Sequence, residues 1–142
     1  NSDNAVVENV LYEDIRVENA DRCTNSKLFD LAILYSVWSY DRFTDIDSIA
    51  KYRYSDSWDN LLPVMPGKEK FHSSHRGQIR NIKFKNIQIL DAGLPYSVIQ
   101  GFDEDHIVDD ITFENITVQG EKLNNAEQLK LFTQFSKNIK FN

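Results

Sequence analysis

A nine-residue pattern repeats along this chain and constrains its fold more than any other feature of the sequence. The two clearest copies begin at residues 81 and 110, a separation of 29 residues, and read NIKFKNIQI and DITFENITV. A partial copy, NIKFN, begins at 138, and an early copy, NVLYEDIRV, covers 9–17. A regular period of this kind is typical of chains that stack copies of one structural unit.

Each copy has the apolar periodicity of a strand that bends once. Ile82 and Phe84 alternate with polar residues, the phase changes at Asn86, and a second alternation follows through Ile87 and Ile89. A period of two places these side chains on one face, and Asn is among the few residues that tolerate a left-handed backbone. The pattern predicts a strand, a one-residue corner and a second strand, with the corner at Asn86 and, by equivalence, at Asp14, Asn115 and Asn142.

A further apolar segment follows each copy, at 28–37, 96–102 and 129–135. Three short strands in a period near 28 residues, without helical periodicity, predict an all-β fold: a right-handed parallel β-helix, a solenoid of about three to four coils. The alternative is a leucine-rich repeat. It is disfavoured because Asn86 follows Phe84 by only two positions, and because a new strand begins where that repeat would place a helix.

One long insertion interrupts the repeats. The early copy lies much more than one period before the copy at 81, and the surplus, 39–78, is rich in aromatic and charged residues. Loops of this length inside a domain are usually functional or disordered. The sequence therefore predicts a single β-helix domain over 1–142, or the C-terminal fragment of one, with an insertion at 39–78.

Composition excludes several classes of partner. The 142 residues carry a net charge of -6, which disfavours nucleic acid because binding to it depends on clustered Lys and Arg. The single cysteine, Cys23, forms no intrachain disulfide and no cysteine metal cluster. No apolar run has the length of a spanning helix, so we expect no membrane insertion. We also predict no metal site and no cofactor.

Beyond the repeats themselves, the segments 77–82, GQIRNI, and 101–106, GFDEDH, resemble the last coils of pectinase-like right-handed parallel β-helix proteins. This family, with the pectin lyase-like fold, includes polygalacturonases and related polysaccharide-degrading enzymes. The resemblance implies the C-terminal portion of a glycoside hydrolase-like protein that is extracytoplasmic, whether secreted, periplasmic or at the cell surface. It also implies a polysaccharide or oligosaccharide as partner.

Activity is a separate question from this resemblance. Polygalacturonases carry Asn-Thr-Asp, Asp-Asp, Gly-His-Gly and Arg-Ile-Lys motifs, and of these only Asp109-Asp110 matches in letters. The repeat aligns that pair with positions where a strand begins, so we interpret it as structural. The sequence predicts no catalytic residue in this chain and leaves open whether the chain belongs to an enzyme. The alternative function is a non-catalytic carbohydrate-binding, adhesion or structural β-helix module.

Two groups of residues are candidates for a site. Aromatic platforms with planar polar groups suit the apolar faces and hydroxyl edges of sugars, and they predict a substrate-binding set in and beside the insertion: Trp38, Tyr40, Asp41, Arg42, Tyr54, Trp58, His75 and Arg76. The alternative is that these side chains only pack the insertion. The second group is an acidic turn that contains the materials of an acid, a base or a metal site: Asp103, Glu104, Asp105 and His106. Its alternative is a solvated turn.

Stacking of the copies makes two further predictions. Equivalent aromatic residues of successive copies should overlie each other at the strand spacing: Tyr12, Phe84, Phe113 and Phe141. The first copy has no earlier neighbour in this sequence, so Val6, Val10 and Tyr12 should present an apolar face. We therefore expect self-association through an exposed coil end.

Overall fold

A computed structural model describes residues 5–20, 27–33, 76–91 and 93–142, and these residues form strands and no helix. The eight strands, in chain order, are β1 (Val6–Val17), β2 (Asp30–Ala32), β3 (Gln78–Ile89), β4 (Ser97–Gln100), β5 (Val108–Val118), β6 (Glu121–Lys122), β7 (Leu131–Gln134) and β8 (Ser136–Phe141). No helix that is long and apolar enough to cross a membrane occurs in these segments.

The repeat copies lie side by side in a five-stranded sheet. The strands β1, β3 and β5 are parallel neighbours, and equivalent residues of the copies are directly paired, as Ile82 is with Ile111 and Phe84 with Phe113. The far edge of β5 is shared by two strands: β8 pairs with it in parallel as far as Phe113, and β6 pairs antiparallel with Thr117 and Val118. The sheet is therefore mixed.

A second sheet supplies the other side of the core. It contains β2, β4 and β7, all parallel, in the order β2-β4-β7. The two sheets share one apolar cluster, in which the ring of Phe29 lies 4.6 Å from that of Phe84 and 5.2 Å from that of Phe113. Alternate residues of the long strands enter this cluster, which is why the period of two in the sequence marks the core face.

The prediction of a right-handed parallel β-helix, a solenoid of three to four coils, is wrong. It required three parallel strands in every period, whereas the described strands belong to two sheets, and one of these is mixed because β6 runs antiparallel to β5. The error has a physical cause. The predicted corner at Asn86 does not end the strand, because the ladder with the neighbouring strands resumes on its other side, and β3 is one strand of 12 residues.

The left-handed corners themselves are confirmed at three of the four predicted positions. Asp14, Asn86 and Asn115 have φ angles of 57°, 54° and 54°. The fourth position is wrong: the backbone N–H of Asn142 donates to the Phe113 carbonyl and its carbonyl accepts from the Asn115 N–H, so Asn142 lies opposite Glu114. A second row of left-handed residues, which we did not predict, crosses the same sheet at Asn9, Asn81, Asp110 and Asn138.

Side-chain amides connect the corners from strand to strand. Asn115 donates to Asn86 at 2.8 Å, and Asn86 donates to Asp14 at 2.9 Å. Each amide satisfies its neighbour while the backbone at each corner keeps the left-handed conformation that few residues accept. The ladder therefore holds the corners of adjacent copies in register.

The predicted aromatic stack is also confirmed. The ring centroids of Tyr12 and Phe84, Phe84 and Phe113, and Phe113 and Phe141 are 5.0, 5.3 and 5.0 Å apart, and all three pairs are nearly parallel. This spacing is close to the distance between neighbouring strands, as equivalent residues of adjacent strands require.

Candidate functional site

Most of the predicted substrate-binding residues lie outside the described residues: Trp38, Tyr40, Asp41, Arg42, Tyr54, Trp58 and His75. Of that set the structure describes Arg76, which is 3% exposed and lies just before β3. Its guanidinium carbon is 5.2 Å from the centroid of the Phe102 ring, a cation–π contact. The structure thus brings Arg76 to the loop that contains the acidic turn.

The acidic turn connects β4 to β5 and is closed by its own side chains. Oδ1 of Asp103 accepts from the backbone N–H groups of Asp105 at 3.0 Å and His106 at 2.8 Å, and it lies 2.7 Å from Nδ1 of His106. The His106 carbonyl accepts from the N–H of Phe102 at 2.9 Å, which closes the base of the turn. The Asp103 oxygen therefore orders this loop, while Glu104 and Asp105 are exposed.

The chemistry available to this turn is limited. In a neutral imidazole, a carboxylate beside Nδ1 favours the proton on that nitrogen and leaves Nε2 as an acceptor. Glycoside hydrolysis requires a second carboxyl group at a set distance across the bond that breaks, and Oδ1 of Asp103 is engaged in its own turn. No group of three or more potential metal ligands occurs in the segments that the structure describes.

The pair Asp109-Asp110 is engaged in contacts between strands. Asp109 accepts from Asn138 Nδ2 at 2.9 Å and lies 3.5 Å from Lys137 Nζ, while Asp110 accepts from Lys140 Nζ at 2.6 Å. Asp110 is itself a left-handed corner, with φ of 54°. Both carboxylates therefore connect β5 to β8.

Other ion pairs cross the same sheet surface. Arg80 pairs with Glu8, and Lys85 pairs with Glu13, each across from β3 to β1. The Glu13 carboxylate raises the pKa of Lys85 above its ordinary value, first through its hydrogen bond and then through its charge. These exposed pairs fix strand register and contribute little stability individually.

A surface that the sequence-based prediction missed lies on the three-stranded sheet. Ile99 belongs to the core cluster, whereas its neighbour Val98 is buried but lies outside that cluster, so the two side chains of β4 point to opposite faces. Phe132 lies on the same face as Val98 because the two residues are register partners. Tyr96 precedes Val98 by two residues, so the alternation of side chains places it on that face as well. We call this side of β2, β4 and β7 the outer face.

The outer face exposes two aromatic rings next to amide groups. Tyr96 is 68% exposed and Phe132 is 50% exposed, the former the highest value among the large apolar side chains described. Two residues beyond the register partners Val98 and Phe132, Gln100 Nε2 donates to Gln134 Oε1 at 3.3 Å. Gln100 is buried, and its Oε1 accepts no hydrogen bond from the described residues. Gln134 is exposed, so it is the member of the pair that a ligand could reach.

A signal for this surface exists in the sequence. The segments 96–102 and 129–135 were assigned to strands by their apolar content, but their alternate residues also follow a pattern. Tyr96, just before β4, with Val98 and Gln100 matches Lys130, just before β7, with Phe132 and Gln134. Recognising the match requires the register between the two strands, which only the structure supplies.

Comparison of this chain with protein-family models, with curated proteins and with solved structures gives no match.

Proposed function

We propose that this chain is a non-catalytic, carbohydrate-binding part of an extracytoplasmic polysaccharide-degrading protein, and that the outer face of the three-stranded sheet contacts the sugar chain. The observation that carries the proposal is the pair of exposed rings, Tyr96 and Phe132, beside the exposed amide of Gln134. Aromatic faces cover the apolar side of a sugar ring, and a planar amide donates to and accepts from its hydroxyl groups. The resemblance of the repeats to those of polysaccharide-degrading proteins supports the same class of ligand.

The contacts of Asp103, Asp109 and Asp110 support binding over hydrolysis by these three residues. Asp103 closes its own turn, and Asp109 and Asp110 connect strands. A hydrolytic site would need two carboxyl groups directed at one glycosidic bond. A hydrolytic function therefore has less support than carbohydrate binding.

The geometry of the outer face favours an extended chain over a single sugar. Tyr96 and Phe132 are diagonal neighbours on adjacent strands, because Phe132 is opposite Val98 and Tyr96 precedes Val98 by two residues. Diagonal neighbours on a sheet are about 7–8 Å apart, which separates the two rings enough to contact successive sugar units. With a net charge of -6, the chain should prefer neutral oligosaccharides to oligogalacturonates.

The test is calorimetric titration of the chain with neutral cello-, xylo- and manno-oligosaccharides and with oligogalacturonates, using wild type, Tyr96→Ala and Phe132→Ala. One aromatic contact contributes about 0.5–1.5 kcal/mol, so each variant should bind roughly two- to tenfold more weakly. Leu90→Ala is the matched control, because Leu90 is also a large exposed apolar residue, 42% exposed, and lies just after β3 in the other sheet. Unchanged affinity in both aromatic variants, or no binding of any oligosaccharide by wild type, would refute the proposal.

A further inference from the structure

The edge strand β1 exposes residues whose counterparts are buried in its inner neighbour, β3. In β1, Tyr12 and Ile15 are 43% and 39% exposed, whereas their register partners in β3, Phe84 and Ile87, are 6% and 2% exposed. The difference arises because β3 has a strand on each side, whereas on its outer side β1 pairs with no strand among the described residues. Within the described part of the chain, the β1 layer thus has the core pattern with a neighbouring strand on one side only.

A row of alternating charge crosses the sheet and ends with opposite signs on its two edges. The row contains Glu8, Arg80, Asp109 and Lys137, which are register partners on β1, β3, β5 and β8. Arg80 pairs with Glu8, and Lys137 lies 3.5 Å from Asp109. A copy placed beyond β8 in the same register would bring Glu8 beside Lys137 and continue the alternation.

A second contact repeats in the same way. Inside the molecule Lys83 is opposite Thr112 and reaches Glu114, two residues further along, at 3.4 Å. When Lys137 of one copy is set opposite Glu8 of another, Lys140 is opposite Leu11, and the residue two positions further along is Glu13. The edges of β8 and β1 therefore offer each other the diagonal ion pair that already joins β3 to β5.

We propose that a second copy of this chain docks on the first, with β8 of one copy paired in parallel to β1 of the next and Lys137 opposite Glu8. This register places Phe141 over Tyr12 and extends the aromatic stack, whose rings are 5.0 Å apart at both existing ends. Another polypeptide would need the same spacing of cations and rings to fit β1, and β8 of this chain has it.

The proposed contact is heterologous, and this determines the form of the assembly. Each copy uses β1 on one side and β8 on the other, so the addition of a copy leaves a free β1 and a free β8 at the ends of the stack. The pairing is limited to the length of β8, because β6 occupies the edge of β5 beyond it. We therefore expect a reversible, open-ended series of oligomers.

Sedimentation velocity over a concentration series tests the surfaces. The average mass of wild type should rise with concentration beyond that of a dimer, and salt should weaken the association because the edge charges are exposed. Glu8→Lys or Lys137→Glu alone should weaken association at least about tenfold. An equimolar mixture of the two variants should associate again, because each copy then meets an edge of opposite charge. Glu104→Lys, an exposed residue in the acidic turn, makes the same charge change as Glu8→Lys away from both edges and should have no effect.

Each outcome decides the proposal. Both charge variants lose an internal pair, so circular dichroism and the urea midpoint must show that they remain folded. Recovery in the mixture cannot come from misfolded chains. A strict monomer at every concentration would overturn the proposal. A closed dimer, or a mixture that fails to recover, would overturn the register.

Crosslinking tests the register directly. In a Cys23→Ser background, Leu11→Cys with Lys140→Cys places two thiols on facing strands of adjacent copies, about 4.8 Å apart at Cα, within the range of a disulfide. Oxidation should give a ladder of covalent oligomers. Arg16→Cys with Lys140→Cys is the control, because Arg16 is exposed on the same strand but about 16 Å further along, and it should give no ladder. A ladder in both double variants would overturn the proposed register.

Discussion

Replacement of Phe113 by alanine should destabilise this protein more than any other single truncation in the aromatic stack. Phe113 is 1% exposed and contacts three other rings. Phe84 and Phe141 stack on its two faces, at 5.3 and 5.0 Å, and Phe29 meets it edge-on at 5.2 Å. Phe84 also stacks on two rings and contacts Phe29, but it is 6% exposed and one of its stacking partners, Tyr12, is itself 43% exposed.

The magnitude follows from burial and from these contacts. Burial of a phenylalanine side chain stabilises by roughly 1.5–3 kcal/mol, and each aromatic pair adds about 0.5–1.5 kcal/mol. Part of this is recovered when the neighbouring rings relax into the space left behind. We therefore expect Phe113→Ala to lower the free energy of unfolding by about 3–5 kcal/mol.

The matched control is Tyr12→Ala in the same stack. Tyr12 is 43% exposed and stacks on one ring, that of Phe84 at 5.0 Å, so its truncation should cost about 1–2 kcal/mol. Urea unfolding followed by circular dichroism measures both, with a shift of the midpoint at constant m-value. A cost under about 1 kcal/mol for Phe113→Ala, or equal costs for the two variants, would refute the argument that burial between two layers stabilises the stack.

Three backbone positions give further predictions. An added Cβ at Gly101 would clash with the Phe135 carbonyl oxygen and lie 2.7 Å from that of His106, so Gly101→Ala should cost about 1–3 kcal/mol. Gly120→Ala has open space but φ of +85°, and it should cost only about 1 kcal/mol. Urea midpoints in the reverse order would contradict this. Asn115→Ala should cost more than Asn115→Gly, because alanine must hold a left-handed φ of 54° that glycine adopts freely, and equal thermal midpoints would show that the corner is not strained.

The local pattern of the sequence was sufficient for the features that depend on one strand and its repeat. The aromatic stack and the left-handed Asn86 and Asn115 were predicted correctly, because the period between copies sets which side chains overlie each other and because few residues accept a left-handed backbone. The same reasoning failed for Asn142. In the last copy Asn142 follows Phe141 directly, whereas one residue separates Phe113 from Asn115, so Asn142 lies opposite Glu114 and not opposite Asn115. A change of apolar phase marks a corner but does not show whether hydrogen bonding continues across it.

The candidate site depended more on tertiary structure. Arg76 and the acidic turn are far apart in the chain, and only packing brings the guanidinium to Phe102. The exposed pair of Tyr96 and Phe132 belongs to two segments that read simply as apolar, and their common face follows from the register of β4 with β7.

By itself, the sequence determined the repeat, the side chains that face the core and the residues that can form its corners, since all of these are properties of neighbouring positions along one strand. Only the tertiary structure decided that the strands divide between two sheets, that β6 turns back to make one sheet mixed, and that β1 forms one edge of that sheet while β8 and β6 share the other. The physical reason is that hydrogen bonds between strands join residues distant in the chain. Burial of a given residue depends on whether a neighbour lies on each side of its strand, as Tyr12 and Phe84 show.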